Sequence, residues 1–331
     1  MAEIPFVEPL EDVHYGRAQH LSPLIRRVIA NNPNMFTYRG TGTYIVGHGD
    51  VVVIDPGPEL DEHRDALAAA LLGETVRAIL VTHCHSDHSP LAAWLHAETS
   101  APTVAFGPHG AIEPEPELDS DSELDSDPEP GTNGARSVPK ETIDVDFVPD
   151  IAVADGDVAA EVGGLVLRAV HTPGHTSNHM CYSLDAERSL FTGDHVMGWS
   201  TTVVAPPDGD MRSYIESLRK VAGRKDAVLW PTHGNPVRDV APFLSAYLAH
   251  RLEREQQVLA AVRAGLAMIP AIVESLYADV RPELHKAAGA SVLAHLVKLV
   301  ADGAVAVAAD DESTGGGVRR PARTSTFVPV Q

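Results

Sequence analysis

The chain has 331 residues, of which 44% are hydrophobic and 21% charged, with 25 Lys and Arg against 46 Asp and Glu. That length supports one large domain with a smaller companion, or two domains, around a real core. The net charge of −21 argues against general affinity for nucleic acid, because phosphate contacts come from Lys and Arg.

Residues 42–55 read as a hairpin: Gly42 to Gly47, the turn His48-Gly49-Asp50, then Val51 to Ile54. Residues 59–72, rich in Ala and Leu, have helical composition. Val76 to Val81 is the next predicted strand and Ser89 to Ala97 the next helix. This alternation places the chain in the α/β class. Between Glu113 and Glu129 nine acidic residues alternate with Pro, Ser and Leu, so nine of the 21 net charges are local. Residues 113–140 read as an acidic insertion too polar to offset its own ordering entropy. Strands resume with Val162 to Val170, which carries Gly163-Gly164 near its start. Met180 to Leu184 and Ser189 to Phe191 look like a hairpin, and Val228 to Trp230 a short last strand.

From about Pro242 the pattern turns helical. Phe243 to Ala264 carries charges on one side, and Ile269 to Tyr277 and Leu284 to Ala301 follow. The turn Asp302-Gly303 leads to the strand-like Ala304 to Val307. Three helices and a β-ribbon make a winged-helix pattern. The expected organisation is a main domain over 1–240, a winged-helix-like domain over 241–312 and a tail over 313–331. Only Thr326 to Val330 of the tail has strand character. No apolar run approaches the roughly 20 residues that span a bilayer. Met1-Ala2-Glu3-Ile4-Pro5 is neither a secretory signal nor an Arg-rich transit peptide. A cytoplasmic protein without a membrane partner is expected. Cys84 and Cys181 make no disulfide framework.

The chemistry concentrates after the third predicted strand. His83-Cys84-His85-Ser86-Asp87-His88 puts three imidazoles and a carboxylate within six residues. A strand that ends in such a loop aims several donors at one point. Imidazole with carboxylate is a ligand set for zinc, and also for manganese or iron. A solvated His-rich loop is the bland alternative, with Cys84 pointing away from any site. Pro173-Gly174-His175-Thr176, Thr192-Gly193-Asp194 and Thr232-His233-Gly234 also follow apolar strands. Strand ends of one sandwich would bring these groups to a common rim.

Those four motifs, in that order, resemble the metallo-β-lactamase fold superfamily over about residues 40 to 240. The resemblance implies an αββα sandwich followed by a small, mostly helical winged-helix domain. It also implies a binuclear centre of two divalent ions, zinc before manganese or iron. His83, His85 and His175 would hold one ion, Asp87, His88 and His233 the other, and Asp194 would bridge them. Asp87 would also orient the attacking hydroxide or carry a proton to the leaving group. Asp55 resembles a residue that braces the metal loop by hydrogen bonds, and His179 is a second candidate for such a role. His195 either caps a loop or touches substrate. Thr232 stands where Gly is more usual. Other histidines, among them His96, His109, His250 and His285, read as surface or core.

Tyr247-Leu248-Ala249-His250-Arg251-Leu252-Glu253-Arg254-Glu255, with Ser291 to Leu296, resembles the subgroup of β-lactamase-like protein 2 and glyoxalase II-like proteins. Its animal member is similar to a single-strand-specific endoribonuclease, and fungal relatives are thioesterases releasing polyketides. The expected function is therefore metal-dependent attack of water on an ester, thioester or lactone carbonyl of a small molecule. Hydrolysis of RNA is the alternative. Against RNA, Arg281, His285, Lys286 and Lys298 form only a thin basic set without interleaved aromatics. A glyoxalase II-like version would need cations to grip glutathione carboxylates; Arg251, Arg254 and Arg263 are available, but the chain has no clear glutathione motif. A homodimer is compatible with the winged helix, which often serves for packing alone.

Overall fold

The computed structural model describes residues 3–110, 142–308 and 321–330. The acidic insertion expected over 113–140 and residues 313–320 of the predicted tail lie outside the described residues. One sheet has the order β1 (Ala18–His20), β2 (Ile25–Ile29), β3 (Gly42–His48), β4 (Asp50–Ile54), β5 (Thr75–Leu80), β6 (Thr103–Ala105) and β7 (Ile151–Ala152). Pairing is antiparallel from β1 to β4 and parallel from β4 to β7. Parallel neighbours need crossovers; α1 (Asp61–Ala70) and α2 (Leu91–Thr99) provide the first two. The other sheet runs β8 (Val158–Val162), β9 (Leu165–His171), β10 (Met180–Leu184), β11 (Ser189–Gly193) and β12 (Val228–Pro231). Only β11 and β12 are parallel in it, joined through α3 (Met211–Gly223).

Side-chain alternation explains why the two sheets stack. In β3, Tyr44 and Val46 enter a core shared with Met180, Tyr182, Phe191 and Trp230 of the second sheet. Ile45 points the other way and packs with Val51 and Val53 against Leu67 of α1 and Leu95 of α2. On the second sheet, Cys181, Leu190 and Leu229 face outward onto Tyr214, Ile215 and Leu218 of α3. The central strands β3, β4, β10, β11 and β12 are therefore buried on both faces, as expected for sheets covered by each other and by helices. The result is the αββα sandwich that the resemblance implies.

Three features depart from the sequence reading. The predicted strand from Val162 is the second half of a hairpin, with Val162 paired to Leu165 across Gly163-Gly164. Both glycines have positive φ, 56° and 81°, which suits a two-residue hairpin turn. Strands β1 and β2 and helix α3 were not anticipated. The α3 start has a local signal, since Asp210 Oδ1 caps the backbone N–H of Ser213 at 2.7 Å.

The C-terminal elements are α4 (Val240–Arg263), α5 (Ile269–Leu276), α6 (His285–Ala301) and the antiparallel pair β13 (Val305–Val307) and β14 (Phe327–Pro329). Helix α4 belongs to two cores. Phe243, Leu244 and Tyr247 pack under the second sheet, whereas Val258 and Val262 pack with Ile272, Val292, Leu296 and Phe327. The charged face expected on α4 is in part buried: Arg251, Arg254 and Glu255 are all less than a tenth exposed. Apolar periodicity cannot reveal this, because the charges face neighbouring helices and loops rather than water.

Two glycines with positive φ should respond differently to substitution. Gly163→Asn, in open space at φ 56°, should change stability by less than about 1 kcal/mol, since Asn tolerates that region. Gly174, at φ 138°, would place a Cβ 2.3 Å from Tyr214 Cα. Gly174→Ala should therefore cost at least about 1–3 kcal/mol in urea unfolding. Equal effects would contradict the packing described.

Candidate metal centre

Strand ends position every group of the cluster. Asp55 follows β4, His83 to His88 follow β5, His175 lies between β9 and β10, Asp194 follows β11 and His233 follows β12. Thr41, just before β3, reaches the same rim.

Their nitrogens and oxygens converge in three overlapping groups, each with atoms within 4.8 Å of one another: His83, His85 and His175; His83, His88 and Asp194; Asp87, His88 and His233. His85 Nδ1 lies 3.0 Å from His83 Nε2 and 3.2 Å from His175 Nε2. Donors about 2.0–2.1 Å from a tetrahedral zinc stand about 3.3 Å apart, so this spacing suits one. His88 Nε2 and His233 Nε2 each lie 3.3 Å from Asp87 Oδ2. Asp194 faces both halves: Oδ1 is 3.4 Å from His233 Nε2, and Oδ2 is 3.9 Å from His175 Nε2.

The outer nitrogens of four rings are occupied. His83 Nδ1 meets Thr82 Oγ1 at 3.1 Å and His88 Nδ1 meets Asp55 Oδ2 at 2.9 Å. His175 Nδ1 meets the Val203 carbonyl at 2.7 Å, and His233 Nδ1 meets the Gly40 carbonyl at 3.3 Å. Each such acceptor favours the tautomer with a proton on Nδ1 and a lone pair on the inward Nε2.

Two buried inward atoms, His88 Nε2 and Asp194 Oδ1, have no hydrogen-bond partner among the described residues. Orphaned buried polar atoms are costly and rare. A divalent ion would satisfy both, and the imidazole and carboxylate donors are the types such ions take. The residues present therefore fit a metal centre.

Electrostatics divides the cluster. Burial, reinforced by the neighbouring His88, holds His83 far below the usual imidazole range. Burial with His175 takes His85 down to about 3. Burial also opposes charge on His88 and His233, but there the carboxylates win. Asp87, Asp194 and Asp55 raise His88 well above its ordinary value, and Asp194 and Asp87 raise His233 to about 10. Asp87 and Asp194 are held well below the carboxylate range, because those imidazoliums outweigh the cost of burial.

The supports expected from sequence are in place. Asp55 accepts from Thr82 N (2.8 Å), Thr82 Oγ1 (2.9 Å) and Thr232 Oγ1 (3.0 Å), besides its contact with His88. The unusual Thr232 is thus a donor to Asp55. His179 Nε2 receives the Asp194 backbone N–H at 3.2 Å, and Nδ1 meets Thr172 Oγ1. His195 is fully buried, and its carbonyl accepts from Tyr214 Oη at 2.8 Å and Thr202 Oγ1 at 3.1 Å. It ties the loop rather than facing a substrate. Cys84 Sγ accepts from Asn178 Nδ2, and burial pushes its thiol up to about 11, so it stands outside the ligand groups.

Sequence reasoning missed Thr41, whose hydroxyl donates to Asp87 Oδ2 at 2.8 Å. It also missed a depression of about 160 Å³ beside His85 and His175, walled by Ile143, Val203, Ala205 and Pro207 with His109 and Asp208. Neither has a motif of its own.

Residues 38–233 match the metallo-beta-lactamase superfamily, and residues 269–314 match the beta-lactamase associated winged helix domain. The chain belongs to the metallo-beta-lactamase superfamily and is a hydrolase. It is similar to an atrochrysone carboxyl ACP thioesterase of Aspergillus chevalieri, with 30% identity over 324 residues, 94% of this chain and 89% of that protein. It is also similar to a lactamase-like protein, ptaB, of Pestalotiopsis fici, 28% identical over 85% of this chain and 79% of the relative. Among solved structures, a beta-lactamase domain protein from Burkholderia ambifaria shares the fold at TM-score 0.70 and 20% identity, covering 97% of this chain and 96% of that one.

Asp55→Asn keeps every proposed ligand but removes the anion that braces them. It should weaken divalent-ion binding by about 10–100-fold, measured by chelator competition; unchanged affinity would reduce Asp55 to a folding role. Divalent-ion uptake by metal-free protein at pH 7 should also release protons. Burial keeps His83 and His85 neutral there, while the carboxylates favour charged His88 and His233, which must lose a proton to coordinate. Calorimetry in buffers of different ionisation heat should show release of about two protons when the cluster is filled. Binding without proton release would contradict that division.

Proposed function

We propose that this chain is a binuclear metal-dependent thioesterase for a small-molecule acyl substrate, of the β-lactamase-like protein 2 type, with zinc as the preferred ion. The carrying observation is the convergence of seven side chains in two halves, with Asp194 presenting one oxygen to each half. His83, His85 and His175 would hold one ion, Asp87, His88 and His233 the other, and Asp194 would be shared. The thioesterase names of relatives such as that of Aspergillus chevalieri support the substrate class.

Bound divalent ions supply a water nucleophile at neutral pH and polarise the carbonyl. The chain supplies orientation and proton handling. Asp87 has a side chain 21% exposed, against 9% for Asp194, so it is the cluster carboxylate with the freer access to solvent and substrate. The Thr41 hydroxyl fixes Asp87 Oδ2. From there the carboxylate can take a proton from water and deliver it to the departing sulfur. A thiol with a pKa of about 8.5 leaves readily as thiolate, so a thioester asks less of this single acid than an alkyl ester does. Ile143, Val203, Ala205 and Pro207 give the depression beside His85 and His175 an apolar side that an acyl group can pack against.

The RNA alternative finds less support. Of the thin basic set, Lys298 is engaged with Glu255 at 2.9 Å and Asp302 at 2.8 Å, and His285 Nε2 contacts the Val280 carbonyl.

Metal-loaded protein should hydrolyse simple acyl thioesters faster than it cleaves an unstructured labelled RNA, and chelation should abolish turnover. RNA cleavage without thioester hydrolysis, lost in Asp87→Ala, would overturn the reading. Asp194→Ala should lower metal content and activity together, with activity falling by about 100-fold or more, since even outer partners are worth about 10–100-fold. Full activity with two bound ions in that variant would refute the shared-ligand assignment.

A further inference from the structure

A second cavity, of about 260 Å³, lies between the sandwich and the C-terminal helices. Met35 and Phe36 wall it from the β2–β3 loop, and Tyr277, Val280 and Leu284 from the segment joining α5 to α6. Arg251 of α4 lines it as well. This arginine is only 4% exposed, yet no carboxylate lies within salt-bridge distance of it among the described residues. Its guanidinium donates to the Thr202 carbonyl and lies over the rings of Tyr214 and Tyr247, 5.1 and 5.7 Å from their centroids. Its Nε is buried without a hydrogen-bond partner. Buried charges are ordinarily paired, so a buried guanidinium on a cavity wall with no carboxylate beside it among the described residues points to an anionic ligand.

The cavity is tied to the metal centre through two adjacent peptide units. The Val203 carbonyl receives His175 Nδ1, and the Thr202 carbonyl receives Arg251. Val203 also borders the depression beside His85 and His175. Consecutive Cα atoms stand about 3.8 Å apart, so the cavity begins next to the reacting centre.

We propose that this cavity is an acyl subsite for substrates bearing an anionic substituent, and that Arg251 is the residue that selects them. The proposal rests on the thioesterase reading for the reaction, but the binding it describes can be measured separately. A carboxylate suits Arg251 because the planar fork accepts it in two parallel hydrogen bonds. Phe36, Val280 and Leu284 cover the apolar stem. The cavity volume is near the lower end of ligand pockets, about 300–1,000 Å³, which favours a compact acyl group.

The test compares two N-acetylcysteamine thioesters of equal chain length, octanoyl and suberoyl, the latter ending in a carboxylate. Metal-loaded full-length protein should prefer the suberoyl thioester in kcat/KM by about tenfold or more. Arg251→Gln should erase that preference and Arg251→Lys should restore part of it, since one charge-assisted contact is worth about 10–100-fold. Metal content and melting temperature of each variant control for misfolding. A parallel arm measures, by calorimetry, binding of the matching thioethers, which cannot be hydrolysed. Tighter binding of the anionic thioether, lost in Arg251→Gln, supports the subsite even if neither thioester is cleaved, an outcome that would overturn only the thioesterase reading. Hydrolysis of both thioesters at equal rates by the unmodified protein overturns the subsite and leaves the hydrolase intact. A preference for the anion that persists in folded Arg251→Gln also overturns it, because the anion would then be held elsewhere.

Discussion

The Asp55 carboxylate is the contact on which the site depends. It is 1% exposed and bonds Thr82 twice, Thr232 once and the outer nitrogen of His88. Three chain segments that are far apart in sequence, the ends of β4, β5 and β12, are thereby locked at one rim. A buried anion persists only when its oxygens are well paired. Hydrogen bonds to a charged group contribute about 1.5–3 kcal/mol each, and here each one also orients a ligand-bearing loop. Asp55 itself sits at φ 49°, an uncommon value for a residue with a side chain. Asp is among the residues that tolerate this region best. The turn it makes directs the carboxylate back toward β5 instead of onward along the chain.

From that anchor follows the asymmetry of the cluster. One half, His83 and His85, is neutral and packed ring against ring, with centroids 4.6 Å apart. In the other half the carboxylates of Asp87 and Asp194 lie beside His88 and His233 and favour their charged forms in the metal-free protein. The metal-free fold thus neutralises its own carboxylates with imidazolium protons. Divalent ions would take over that role while displacing those protons.

Much of this was legible in the sequence. The dense His83-to-His88 run, the strand before it and three later motifs pointed to one rim, and strand ends do bring those seven side chains together. What escaped was of three physical kinds. Thr41, Gly40 and Val203 act through a hydroxyl or a backbone carbonyl, groups that nearly any sequence offers. Helix α3 and the β8–β9 hairpin were hidden differently. The glycine pair that makes the turn was read as part of a strand, and α3 lies in a stretch without a chemical motif. The burial of Arg251, Arg254 and Glu255 was also unreadable, because a charged face signals water unless a neighbouring element covers it.

Helix α4 packs at one end under the second sheet and at the other among the C-terminal helices, which would let it connect chemistry to the proposed specificity. It holds Arg251 one peptide unit from the carbonyl that orients His175. The central claim is that the seven side chains bind two metal ions and that hydrolysis depends on both. The most direct test is a titration of metal-free protein with zinc, followed by elemental analysis and thioester turnover at each addition. The account predicts saturation at two ions per chain, with full turnover appearing only on the second equivalent. Saturation below two ions, or turnover that persists without metal, would contradict it.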